Sequence, residues 1–425
     1  MRVPSSLIGP LLVVLAATPA DAEQSALKRL QAAITSAWQA APQIVARGAA
    51  LDGEAAMHRA DAAPGSPSLE WQREGIGPSF SHRSNAQTSV RLAAPFVPPW
   101  EWADKGELDR VLTSFVDSGT QAARQAIAAQ VARDWLELAA TLDELEVARG
   151  RLDRLTQAVA LQTHRRDFGE VAGLDVVQLD LERLHEAGRV HRLEAAAASA
   201  RARLAELTGP DPPTPAPGDL AALVGLPSTL PVGEELEAMV AAGPLGRAAT
   251  SSALVQGARA DLVAKAAWGR PEAEAEWEHF PSLEGLPGYD AVGLRLNWPL
   301  PIGGAGRARA ASVRAEASAA EASAAATLRE LESRVHAAVA TASGASSVLD
   351  EARPVMEKLG HTEHSLSEQF RLGAISYLVY IDGLSRLDDV RTQVIGARLE
   401  LLGARVELAT MLGSSDVFPL PEVSP

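Results

Sequence analysis

Residues 105–165 contain no proline. Their large apolar side chains recur at steps of three and four: Val131, Trp135, Leu138, Leu142, Leu145, Leu152 and Val159. That spacing lays them along one stripe of a coiled-coil helix. Roughly 60 helical residues at about 1.5 Å each predict a rod about 90 Å long. Residues 169–173, bounded by Gly169 and Gly173, interrupt it. Leu174, Val177, Leu181 and Leu184 then begin a returning helix that ends near Gly209. The same order recurs downstream, with a rod over 307–368, a turn over 371–376 and a return over 377–412.

Two short extended segments precede each rod. Residues 68–74 and 86–94 form the first pair, with Thr88, Val90 and Leu92 on one face and turn residues over 75–85 between them. In the second pair, 272–280 alternates Glu274, Glu276 and Glu278 with Ala273, Ala275 and Trp277. Residues 289–298 alternate Val292, Leu294 and Leu296 with Gly293, Arg295 and Asn297. Elsewhere, residues 24–60 read as helical until Pro64-Gly65-Ser66-Pro67, and 210–217 is a proline-rich break. Residues 220–233 look irregular, and 234–268 looks helical with a break at Gly243-Pro244.

These matching orders reflect a near-repeat at an offset of 204 residues (Arg91 to Arg295). Leu92 and Pro95 recur as Leu296 and Pro299, and Gly169 recurs as Gly373. Arg201, Leu204, Ala205 and Gly209 recur as Arg405, Leu408, Ala409 and Gly413. The chain therefore divides into an export signal over 1–22, an N-terminal helix over 23–66 and repeat one over 67–209. A linker and helix over 210–270, repeat two over 271–413 and a tail over 414–425 follow. A duplicated strand-plus-helix unit points to an elongated, pseudo-symmetric assembly rather than an enzyme with one cleft.

Composition narrows the class further. Aromatic residues make up only 4%, as suits long helices packed through small side chains. A net charge of −15 speaks against nucleic acid as a partner. The absence of cysteine excludes disulfides, thiolate chemistry and an acylated lipoprotein N-terminus. Arg2, the apolar run over 7–17 and the small residues Ala20 and Ala22 read as a cleavable signal. No later stretch has the roughly 20 consecutive apolar residues of a membrane helix. Six of the eight tryptophans, Trp71, Trp100, Trp102, Trp268, Trp277 and Trp298, lie in or beside the extended segments, with Phe80, Phe96, Phe280 and Tyr289. Rings at strand ends suit the two interfaces of a membrane barrel. Four strands cannot close one alone, but three chains would supply twelve.

The order of elements resembles the TolC family of outer-membrane efflux channels, and most closely its CzcC/CusC-type branch. The likeness rests on the duplicated strand pair and hairpin, and on three local motifs. These are Val90-Arg91-Leu92-Ala93-Ala94-Pro95, the run from Gly293 to Leu300, and the helix-return starts at 168–175 and 370–376. The resemblance implies a mainly α fold with a small β part. A homotrimer would form a 12-stranded outer-membrane β-barrel, set in outer-membrane lipid, and a periplasmic α-helical tunnel. It implies a passive duct with no enzymatic activity and no cofactor. Its partners would be a periplasmic adaptor (membrane fusion) protein and an inner-membrane pump of RND type, and its cargo metal cations or small toxic compounds. The alternative class is a soluble periplasmic coiled-coil adaptor or scaffold.

The same resemblance maps adaptor docking onto Phe168, Gly169, Val171 and Ala172 in the first hairpin, and onto Leu372, Gly373, Ile375 and Ser376 in the second. It maps gate carboxylates onto Asp382 and Asp175. The polar latch of related channels would fall at Phe370 and Ile375, which lack the groups to form it, and Val379 stands where some members carry a second gate Asp. The glycine run 303–306 lacks the Lys-Ser/Thr of a phosphate loop and reads as a joint. His361 and His364, like His185 and His191, lack the further ligands a metal site requires.

Overall fold

The computed structural model describes residues 19–74, 87–228, 234–282, 287–299 and 304–421. The apolar signal core over 7–17, the turn over 75–85, Phe80 and Gly303 lie outside the described residues. Nine α-helices and four strands follow one another among the described residues. They are α1 (Pro19–Ala40), α2 (Pro42–Ala62), β1 (Ser68–Arg73), β2 (Thr88–Pro95), α3 (Trp102–Asp167), α4 (Gly173–Thr208), α5 (Asp219–Val224), α6 (Glu234–Ala242), α7 (Pro244–Ala266), β3 (Glu272–Phe280), β4 (Tyr289–Asn297), α8 (Ala305–Arg371) and α9 (Tyr377–Leu412). Both long rods and both returns are present. The N-terminal helix is two helices, because Pro42 cannot continue α1. Part of the stretch expected to be irregular is helical, as α5.

The chain forms two compact units. One contains α1, α4, α5, α9, α3 from Arg124 onward and α8 from Ser333 onward. Trp135, fully buried on α3, donates its Nε1 to the Pro213 carbonyl at 3.0 Å, which anchors the proline-rich break against the bundle. Arg29 of α1 pairs with the buried Asp219 at the start of α5. Asp143 of α3 accepts the Gly218 N–H at 2.7 Å. These bonds satisfy backbone and carboxylate groups where the linker leaves water.

The α3 stripe faces the core as expected: Val131, Trp135, Leu138 and Leu145 are buried, and Leu142, Leu152 and Val159 half-buried. The opening of α4 runs the other way. Leu174, Val177, Leu181 and Leu184 are exposed, Leu181 by 59%, while Val176, Leu179, Glu186 and Val190 turn inward. One period thus carries two stripes on α4, and periodicity alone does not say which is buried.

The second unit holds the sheet with α2, α6, α7 and the starts of α3 and α8. The strands run antiparallel in the order β1-β2-β3-β4. A helical core of Leu51, Ala55, Leu108, Leu112, Phe115, Val255 and Leu262 lies among α2, α3 and α7. The fully buried Glu101 accepts from Arg270 Nε at 3.1 Å, and Arg270 also donates to the Ala63 carbonyl at 2.8 Å. One guanidinium thereby joins the chain just before β1, just after β2 and just before β3. Gly269 is obligatory beside it: its φ is 83°, and a Cβ there would meet the Pro299 carbonyl oxygen at 2.2 Å.

Candidate functional site: the sheet faces and the hairpin tips

Register converts the alternation of single strands into two unlike faces. On one face Leu69, Leu92, Ala275 and Leu294 form a row across all four strands. Trp71, Val90, Trp277 and Val292 form the next. Ala94, Ala273 and Leu296 extend this face toward one end, and Arg73, Thr88, His279 and Asp290 close it with a polar row at the other. Most large side chains of these rows are exposed, Leu294 by 86% and Val292 by 78%, and Val90 is half-buried. A soluble sheet of this size would bury that face, because each large side chain left in water forgoes about 1.5–3 kcal/mol.

The opposite face carries Glu70, Glu272, Glu274, Glu276 and Glu278 against Arg91 and Arg295. Arg91 donates to Glu70 at 3.1 Å and Glu276 at 2.9 Å, and also pairs with Glu274. Arg295 reaches Glu274 at 3.4 Å. The excess of carboxylates gives this face a cation-favouring field. Tryptophans bound the sheet at the helical end. Trp100 stacks on Trp298 at 5.6 Å, Trp298 Nε1 donates to the Trp268 carbonyl and Trp102 Nε1 to the Val97 carbonyl. Trp71 and Trp277 mark the far margin, next to the polar row. The strands thus have the pattern of a barrel wall, apolar outside, polar inside and aromatic at both margins.

Both hairpin tips close through the same backbone device. At the first, Gly169 has φ 77°, its N–H meets the Arg166 carbonyl, and the Glu170 N–H meets the Arg165 carbonyl. At the second, Gly373 has φ 74°, its N–H meets the Phe370 carbonyl, and the Ala374 N–H meets the Gln369 carbonyl. Each is a Schellman termination, which needs a residue tolerant of positive φ. Phe168 and Leu372 project from the tips, both exposed. Val171 is half-buried and Ala172 exposed. Ser376 caps α9 through the Val379 N–H at 3.4 Å, whereas Ala172 leaves α4 without a side-chain cap.

The carboxylates expected at the gate sit differently. Asp382 is exposed on α9 and pairs with Arg386 at 3.0 Å, one helical turn away. Asp175 is half-buried in the first turn of α4. Neither touches the other. Phe370, at the latch position, is buried and stacks on Tyr380 at 4.3 Å, with Ile375 packed against the same cluster. Val379 is exposed.

The sequence reading missed Arg165. Its guanidinium donates to the Arg371 carbonyl at 2.7 Å and the Phe370 carbonyl at 3.3 Å, and lies over the Phe370 ring. Tyr377 of α9 donates to Gln178 of α4. Nor did it find the buried carboxylate Asp388 on α9, whose nearest partners are three guanidiniums. Burial pushes the Asp388 carboxyl above its ordinary range, against the opposing pull of Arg154, Arg151 and Arg391. A basic last turn of α3, with His164, Arg165 and Arg166, was the one visible hint of Arg165. Among the described residues no group of three His, Asp or Glu side chains is placed to hold a metal ion. No helix there is long and apolar enough to cross a membrane.

The geometry defines a fold first: a four-stranded sheet with one exposed apolar face, and paired helical hairpins. Residues 282–414 match the family described as outer membrane efflux protein. The fold is shared with the outer-membrane channel OprN at 19% identity, over 91% of this chain and 90% of that one, with a TM-score of 0.71. CusC shares it at 15% identity, over 91% and 92%, with a TM-score of 0.72. VceC from Vibrio cholerae does so at 16% identity, over 92% and 97%, with a TM-score of 0.69. No curated protein matches the sequence. The family match covers the later part of the chain, and the shared fold extends over nearly all of it.

Proposed function

We propose that three copies of this chain assemble into the exit duct of an RND-type tripartite system, with residues 1–22 acting as its export signal. The observation that carries this reading is the two-faced sheet with edges at β1 and β4. Joining β4 of one copy to β1 of the next would satisfy both edges, turn the apolar face to lipid and the charged face to the lumen. The exposed stripe of Leu174, Val177, Leu181 and Leu184 supports association along the helices as well. The repeats 67–209 and 271–413 would then present six quasi-equivalent hairpins at the periplasmic mouth.

In this reading Phe168, Gly169, Val171 and Ala172, with Leu372, Gly373, Ile375 and Ser376, receive a periplasmic adaptor protein. Positive-φ glycines between exposed apolar side chains let a partner helix approach the backbone. Three Asp382 carboxylates at one level, and the acidic sheet face, favour cations in the path. Such a path suits metal cations, the cargo class of the CzcC/CusC-type branch, and also cationic small toxic compounds. Directionality comes from the pump.

Membrane fractionation followed by single-channel recording from purified oligomers in a planar bilayer tests the reading. We expect recovery with the outer membrane and cation-preferring conductance. Recovery of the mature chain in the soluble periplasm would overturn the duct and favour a coiled-coil adaptor or scaffold.

A further inference from the structure

Between two apolar layers of the hairpin bundle lies a layer of charge. On one side Leu155, Ala158, Leu179, Phe370, Tyr380 and Leu384 pack together toward the tips. On the other, Leu145, Ala148 and Val190 pack with Leu152 and Leu193. The charged layer draws on all four helices. Arg151 and Arg154 come from α3, Glu186 and Arg189 from α4, Glu363 from α8, and Asp388 and Arg391 from α9. Asp388 is 2% exposed and Glu186 7%.

Most of the pairs join helices rather than neighbours on one helix. Arg154 reaches Glu363 at 2.5 Å and Asp388 at 3.5 Å. Arg151 reaches Glu186 at 3.5 Å, Asp388 at 3.7 Å and the Ser385 hydroxyl at 3.0 Å. Arg391 donates to Asp388 at 3.1 Å and also to Glu363. The two α3 guanidiniums therefore hold both helices of the second hairpin. Such a layer contributes little net stability, because desolvation offsets the attraction between the charges. What it does supply is register. An axial slip or a rotation of one hairpin against the other strands charge in an apolar layer.

We propose that this charged layer is the clasp that holds hairpin α8–α9 in register with hairpin α3–α4, with Arg154 as its bridging residue, so that releasing it loosens the tips and lets the mouth open. The claim about the mouth rests on the duct reading above; the claim about register does not. Arg154 is a positioning residue, and its removal leaves Asp388 and Glu363 with too little compensation. Acid should counter that removal. A carboxyl whose pKa is raised in the packed cluster stabilises that packing below the raised value and loses the contribution as pH rises through it. Asp388 pairs with Arg151 and Arg154 of α3 and Arg391 of α9; beyond those guanidiniums lie Glu186 with its partner Arg189 on α4, Glu363 on α8 and Tyr380 on α9. Asp388 is the most deeply buried carboxylate of the layer, and burial raises its pKa.

The test compares the full-length oligomer with Arg154→Met, Asp388→Asn and the double variant. Hydrogen exchange over residues 164–172 and 370–376 is read beside single-channel records at neutral and mildly acid pH. Arg154→Met should speed tip exchange and raise the frequency of openings about tenfold at neutral pH, the effect of a shift of about 1.4 kcal/mol. Adding Asp388→Asn, or acidifying, should reverse most of that change. Arg154→Met that behaves as wild type overturns the clasp. So does a double variant that is simply additive and flat with pH, since Arg154 would then only fill space. If the unmodified protein conducts nothing, the duct reading fails and tip exchange alone decides the clasp. If Arg154→Met does not assemble, Glu363→Gln replaces it: faster tip exchange supports the clasp, and unchanged exchange overturns it.

Discussion

The two hairpins share a length, an offset and a turn, yet they end differently. Both tips close on a positive-φ glycine with the same pair of backbone bonds. The second return helix is capped by Ser376, and the first begins at Ala172 with no such bond. Contact between the tips is one-sided too. Arg165 of α3 binds the carbonyls that end α8, while Gln369, its counterpart at the offset, makes no reciprocal bond to α3 among the described residues. Gly169 stands in open space, whereas Gly373 has the Arg165 guanidinium 3.6 Å from where a Cβ would lie. The first hairpin is therefore the donor that finishes the second, and the second depends on it. Duplication preserved the backbone solution and let the side chains specialise.

Breaking this asymmetry should have graded effects. Arg165→Ala removes two bonds to helix-end carbonyls and a cation near a helix C-terminus, which should cost about 2 kcal/mol. We expect faster hydrogen exchange at 370–376 with little change at 164–172; equal changes at both tips would erase the donor–acceptor distinction. Valine at either tip glycine should cost about 1–2 kcal/mol from the left-handed backbone alone. Gly373→Val should exceed Gly169→Val because it also displaces Arg165, and it should impair adaptor crosslinking while oligomers still form. Thermal unfolding and crosslinking yield check both parts, and normal efflux in Gly373→Val would leave that residue as a helix terminator only.

Exchanging the caps gives a smaller effect of opposite sign at the two sites. Ser376→Ala should lose about 1 kcal/mol at the start of α9 and Ala172→Ser should gain a similar amount at α4. Exchange protection of the first turn of each helix measures it. The smallest expected effect on stability is that of Asp382→Asn, within about 0.5 kcal/mol, since an exposed ion pair one turn apart contributes little. In the proposed duct its effect would fall on permeation. Cation preference, read as reversal potential under a salt gradient, should fall, and an unchanged potential would remove Asp382 from the path.

Much of the fold was readable before any coordinates. The bounds of β3, β4 and α9 follow from alternation or apolar spacing together with punctuation by Gly and Pro. So do the two rods, because proline is absent from α3 and α8 carries it only at Pro354. The tip glycines were readable because a turn between long helices has few solutions. The opening of α4 was read correctly as helix, but its Leu174–Leu184 stripe faces out. An apolar stripe signals a surface to be covered and does not say whether the same chain or another covers it. Arg165 and the charged layer stayed hidden because arginine and glutamate on long helices are ordinary solvated residues until a partner from another helix surrounds them.

The sequence by itself determined the elements, their duplication and the two-residue alternation of the strands, since these follow from local sterics and from periods of 3.6 and 2. Only the tertiary structure decided which faces meet. Register across four strands turned alternation into one apolar and one acidic wall. Packing of four helices brought together, around Asp388, charges from α3, α4, α8 and α9, some of them more than two hundred residues apart along the chain. Local interactions act within a turn or a strand pair and are written in sequence order. Burial and charge pairing depend on what arrives from elsewhere in the chain, and no local pattern records that.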